Sequence, residues 1–271
     1  MSRSGVKSRL SSSLARSCCV WALLLAGSSV AAPRAFPFTW DSGNFTAGQT
    51  EVRFALTEGI FKSTAVPYTK TGLELQVGLG INEHLETLFG FDADIEAFAV
   101  DQTRADARVS NTWRYSPLHA TDVVGLSLAG TASLGFDVFG LELRAIADKQ
   151  LGRVLLAANA SVQRSVFWSN RTGVDQRFEQ ALAARFCVNE AFSAGLEGLA
   201  HEAFNGSAYQ GTAFFVGPTF SYAGRRWWLS VGAMAQIAAD KARADRGNGE
   251  PLEIRDNERF MVRVAFGARA D

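Results

Sequence analysis

The sequence predicts an all-β chain, in which a signal peptide precedes a single up-and-down antiparallel transmembrane β-barrel of about twelve strands. Three observations predict it. The first 31 residues have the charge and hydropathy profile of an export signal. From residue 51 onward, apolar residues recur with period two over unusually long stretches. The segments joining these stretches alternate between short turns and longer polar loops.

Arg3, Lys7, Arg9 and Arg16 lie in a stretch without acids, followed by the apolar run from Cys18 to Ala26 and then by small residues up to Ala32. A basic region, a short apolar core and an A-x-A-like end define a secretory signal, with cleavage expected after Ala31. The apolar core is far shorter than the roughly 20 residues a spanning helix needs. Cys18 and Cys19 precede that core, which argues against a lipoprotein anchor. Residues 32–50 are expected to form a periplasmic N-terminal segment and residues 51–271 the barrel. Removing residues 1–31 takes four of the 27 basic residues, leaving 23 against 27 acids, a net charge of −4. That balance argues against nucleic acid as a partner. Cys187 is then the single cysteine, so no disulfide and no cysteine-based metal site is expected.

The strands are placed at 51–62, 71–81, 85–95, 107–116, 123–132, 137–149, 153–167, 177–188, 192–204, 212–223, 227–238 and 259–269. In the second, Leu73, Leu75, Val77, Leu79 and Ile81 alternate with Gly72, Glu74, Gln76, Gly78 and Gly80. In the tenth, Phe214, Val216, Phe220 and Tyr222 alternate with Phe215, Gly217, Thr219 and Ser221. The eleventh and twelfth repeat the pattern, with Trp227, Leu229 and Val231 in one and Phe260, Val262 and Val264 in the other. Successive strand side chains point to opposite faces, so each strand has one apolar face. A soluble sandwich would also alternate, but its solvated face would carry many Lys, Thr and Glu. Here the second face is rich in Gly, Ala and Ser, and the stretches match the roughly 9–11 residues that cross a bilayer. No motif beyond the alternation repeats, which sets a propeller aside.

Short turns are expected at 82–84, 117–121, 150–152, 189–191 and 224–226, and longer loops on the other side, above all 94–106, 205–211 and 239–258. This is the asymmetry of bacterial outer-membrane barrels, with periplasmic turns and extracellular loops. Aromatic residues gather near strand ends: Trp113, Tyr115, Tyr222 and Trp227 on the turn side, Phe61, Phe167, Trp168 and Phe204 on the loop side. Such rings favour the headgroup level.

The hairpin from Gly72 to Asp92, GLELQVGLGINEHLETLFGFD, resembles one found in an outer-membrane barrel family named for the MetA pathway of phenol degradation. The resemblance implies a small transporter-like barrel and passage of small molecules. An outer-membrane barrel is also expected to have outer-membrane lipid and the barrel-assembly machinery of a Gram-negative cell as partners. One departure is that the last strand runs on past Phe266 to Asp271, where many bacterial barrels stop on the aromatic residue that the assembly machinery reads.

Parity gives the candidate lumen-lining residues: Glu74, Gln76, Glu86, Asp92, Arg108, Arg114, Glu142, Arg144, Arg185, Glu197, His201, Gln236 and Arg263. Asp94, Asn159, Gln163 and Glu179 share that face. Between the third and fourth strands, a register that sets Glu86 against Arg114 also sets Asp92 against Arg108, two cross-strand ion pairs of about 0.2–1 kcal/mol each. The balanced signs argue against an ion-selective constriction of one charge. They point to a passive channel for small, neutral or weakly charged molecules, or to a closed structural or adhesion barrel that acts through its loops. No enzyme is expected: the three histidines, His84, His119 and His201, have no serine partner that pattern alone can place, which leaves an outer-membrane hydrolase as a minor alternative. No phosphate loop, dinucleotide fingerprint or zinc spacing is present, so no cofactor or metal is expected.

Overall fold

The computed structural model describes residues 36–60, 68–98, 102–119, 122–168, 174–206, 208–241 and 259–270. Residues 1–31, and with them the expected signal peptide, lie outside the described residues, as do Phe61 and most of 239–258.

Twelve antiparallel strands close on themselves: β1 (Thr50–Ile60), β2 (Tyr68–Gly80), β3 (Leu85–Phe98), β4 (Gln102–Leu118), β5 (Gly125–Gly135), β6 (Val138–Leu151), β7 (Val154–Phe167), β8 (Val174–Cys187), β9 (Phe192–Asn205), β10 (Ala208–Ala223), β11 (Trp227–Lys241) and β12 (Phe260–Ala270). Each pairs with its sequence neighbours, and β1 pairs with β12 from Thr50↔Ala270 to Ile60↔Phe260, so no edge is left open. In hydrocarbon an unpaired strand edge has no water to bond to, so closure is what makes a sheet tolerable there.

The two faces divide as the alternation requires. Phe89, Leu128, Leu143, Leu182, Leu196 and Phe220 are each at least 59% exposed on the outside. A contiguous apolar exterior of this kind is foreign to a soluble monomer and suits lipid. The inner set includes Ala213, Phe215, Thr219, Ser221 and Ser230, all buried. At the turn end, Phe192, Tyr222, Trp227 and Phe266 form a chain of ring contacts with centroids 4.7–6.1 Å apart, and at the loop end Phe178, Phe204 and Tyr209 do the same at 5.5 Å.

Two expectations are corrected. The stretch 94–106 is mostly strand: β3 runs to Phe98 and β4 starts at Gln102. Likewise only residues 206–207 separate β9 from β10, and only 136–137 separate β5 from β6. The backbone ladder continues past the expected strand ends, so loop length is not a clean marker of the two ends. The second correction concerns residues 36–45. Placed ahead of the barrel by the sequence reading, they run through its interior instead, where Phe36, Thr39, Ser42 and Phe45 are buried.

Candidate functional site

The strands enclose a lumen, and it has two halves. On the turn side, the segment Phe36–Phe45 crosses it as a strap. The strap forms no ladder, so its backbone groups need other partners. Side chains of the barrel wall supply them. Glu197 Oε2 on β9 accepts from Phe38 N at 3.1 Å and Thr39 Oγ1 at 2.9 Å. Asn159 on β7 brackets Trp40, accepting from its N at 2.6 Å and donating to its O at 2.8 Å. Asp148 on β6 accepts from Ser42 N at 2.6 Å and Ser42 Oγ at 2.7 Å, and Glu86 on β3 accepts from Phe45 N at 3.0 Å. Arg114 on β4 donates to Asp41 O and to Gly43 O. Five strands thus read the strap's backbone, and three of the readers are carboxylates.

Small residues in the wall make room for it. A Cβ at Gly78 would stand 2.3 Å from the Phe45 ring, and one at Gly232 would stand 2.6 Å from Pro37. After Phe45 the chain turns at Gly48, whose φ of 78° suits glycine, and enters β1. Under the strap, the Glu86–Arg114 pair is 2.9 Å apart with neither side chain exposed. Glu51 accepts from Arg269 at 2.7 Å and from Trp228 Nε1 at 3.0 Å, also buried.

Above the strap the lumen opens into a cavity of about 390 Å³, floored by Pro37, Phe38 and Trp40. The Trp40 ring lies 5.8 Å from the Arg114 guanidinium and 5.2 Å from that of Arg144, so it separates the two halves. Glu74 joins Arg53, at 3.1 Å, to Arg263. Arg144 meets Glu142 at 2.8 Å and Glu179 at 3.4 Å, and Glu179 stands 3.2 Å from His201. Arg108 holds Asp106 at 2.7 Å.

Of the residues chosen by parity, Glu74, Gln76, Asp92, Arg108, Glu142, Arg144, His201 and Arg263 line this cavity. Glu86, Arg114 and Glu197 lie lower and hold the strap; Arg185 stands over the Phe36 ring at 5.8 Å, and Gln236 lies half-buried near the β10–β11 irregularity. The register Glu86↔Arg114 and Asp92↔Arg108 is present as expected, along with Leu85↔Tyr115 and Phe91↔Val109. The second ion pair is not, because Arg108 turns to Asp106 two residues along its own strand. Glu51, Arg53, Asp106, Asp148 and Arg269 were not on the list. The parity of β1 (Glu51 and Arg53 against Val52 and Phe54) and of β12 could have found three of them. The strap left no such signal.

His201 is flanked across the ladder by Glu179 and Ala213, so no serine stands beside it. His84 and His119 stack at 6.1 Å on the turn rim, with His84 Nδ1 held 3.0 Å from Ser116 O. No group of His, Cys, Asp and Glu suited to a metal ion occurs among the described residues.

Residues 148–269 match the model of a family of unknown function (DUF6662). Among curated proteins, none matches the chain in sequence. Of solved structures, the COG4313 outer membrane channel from Pseudomonas putida F1 is similar with a TM-score of 0.62 and 13% identity, over 84% of this chain and 98% of that one. The translocator domain of the autotransporter NalP from Neisseria meningitidis is similar at 0.51, with 9% identity over 83% of this chain and 89% of that one. The beta domain of the Bordetella autotransporter BrkA gives 0.51 and 12%, over 83% and 99%. The fold is that of outer-membrane β-barrels.

Proposed function

We propose that the chain is an outer-membrane channel of narrow bore, passing small neutral or weakly charged molecules without an energy source. The observation that carries this reading is the cavity of about 390 Å³, walled by polar and charged side chains inside a closed barrel whose exterior is apolar. The likeness to an outer-membrane channel and the hairpin's resemblance to the MetA-pathway barrels support it. Export through a cleaved signal at residues 1–31 and insertion by the barrel-assembly machinery belong to the same proposal. The strap sets the bore: a solute entering from the loop side meets Phe38 and Trp40 before the turn side.

A second reading has a specific observation in its favour, the strap itself, which fills the turn half as a closed structural or adhesion barrel would require. One experiment separates the two. In planar bilayers the full-length protein should pass small currents, and a variant lacking residues 36–45 should pass larger ones. If the full-length barrel is silent while the deletion conducts, the barrel is closed as built and the channel reading is lost.

A further inference from the structure

On the β2–β3–β4 wall of the cavity, Gly90 stands in register between Gln76 and Ser110. A Cβ there would come within 2.3 Å of Ser110 Oγ and 3.6 Å of Gln76 Cγ. With no side chain at Gly90 the wall is set back there, and the Ser110 hydroxyl leans into that recess beside Gln76. Asp92 follows on the same face of β3, and Ser110 Oγ donates to its Oδ2 at 3.4 Å. Gln76, Asp92 and Ser110 all belong to the cavity wall.

The recess is short of donors. Every other carboxylate lining the cavity has a cation: Glu74 has Arg53 and Arg263, Asp94 has Lys70 at 3.1 Å, Asp106 has Arg108, and Glu142 and Glu179 share Arg144. Asp92 has the one long bond from Ser110 and no ion pair among the described residues. Its cross-strand neighbour Arg108 has turned away. Gln76 is only 9% exposed, and its Oε1 is enclosed without a hydrogen-bond partner among the described residues. Native interiors rarely leave a carboxamide in that state. Six carboxylates in the lining face four guanidiniums and the Lys70 ammonium beside Asp94, which leaves one negative charge in excess.

We propose that the recess of Gln76, Asp92 and Ser110 is a subsite for the primary ammonium group of a small solute. Such a group brings three N–H donors and one positive charge, which matches a carboxylate, a carboxamide oxygen and a hydroxyl oxygen. A quaternary ammonium brings charge without donors. A hard metal cation wants six or more oxygens, more than the recess offers. The inference deepens the channel reading and rests on it for access from the loop side; a monovalent amine is among the weakly charged solutes that reading admits.

The test is saturation-transfer NMR on the full-length, detergent-solubilised protein, with ethylammonium as the probe and tetramethylammonium and acetate for comparison. Ethylammonium should give a saturable signal that the other two do not. Asp92→Asn should weaken it by about tenfold, in line with the loss of a charge-assisted bond. Ser110→Ala and Gln76→Ala should weaken it less, and Asp122→Asn, on a turn outside the cavity, should leave it unchanged. Heat-modifiable migration shows which variants are folded; should Asp92→Asn fail to fold, Ser110→Ala and Gln76→Ala decide. Equal signals from tetramethylammonium, no signal from ethylammonium, or unchanged binding in the folded recess variants would overturn the proposal. Binding without conductance would remove the channel reading and keep the subsite, and conductance without binding would do the reverse.

Discussion

The turn half and the loop half of the lumen are built from the same residue types, yet they use charge differently. In the turn half, Glu86, Asp148 and Glu197 spend their oxygens on backbone N–H groups of the strap, and the Glu86–Arg114 pair is sealed from solvent. In the loop half, the pairs border a cavity and stay partly exposed, as in Arg108–Asp106 at 30% and 24%. A desolvated charge that loses its partner is left stranded, whereas one beside a cavity can be hydrated. The difference teaches that the turn half is packed like an interior, while the loop half stays open to hydration.

The sharpest way to break that contrast is Arg114→Ala. It strands Glu86 in the sealed layer and removes the donor to Asp41 and Gly43, so a loss of about 3–5 kcal/mol is expected, measured by denaturant unfolding in detergent. A loss below about 1 kcal/mol would show that water already reaches the turn half. The outer wall provides a reference: Leu143, 68% exposed near the middle of β6, should cost about 2–4 kcal/mol when changed to Arg in a bilayer. No penalty there would mean that lipid does not touch this face.

A smaller effect is expected from Glu197→Ala, which removes the acceptor for Phe38 N and Thr39 Oγ1. About 1.5–3 kcal/mol should be lost in the same unfolding measurement, and the current in planar bilayers should rise as the strap loosens. An unchanged current would detach the strap from control of the bore. The smallest effect should come from Arg108→Ala in the loop half, where a half-open pair contributes about 0–1 kcal/mol. A loss comparable to that of Arg114→Ala would erase the distinction between the halves.

The barrel was legible because hydrocarbon imposes a rule that acts residue by residue. Leu75, Val77, Phe214, Val216 and Phe220 announce their face without reference to any partner, and the Glu86↔Arg114 register follows from parity and complementary charge. The strap was illegible for the opposite reason. Phe36, Phe38 and Trp40 alternate for only three positions, and the partners of Phe38, Trp40, Ser42 and Phe45 stand at Glu197, Asn159, Asp148 and Glu86, far along the chain. The Asp92–Arg108 pair shows the limit between these cases. Register fixes where Cβ atoms stand, but a guanidinium on a flexible stem reaches neighbours two positions away, and Arg108 settled on Asp106.

By itself the sequence determined the fold class, the strand order and the sign of each strand face, because period-two alternation and turn chemistry are local and the solvent on either side is different. Only the tertiary structure decided that an N-terminal stretch fills half of the lumen, and that Asp92, beside the cavity, has no ion pair among the described residues. Those outcomes depend on side chains from many strands meeting in a closed space, which no window of sequence contains.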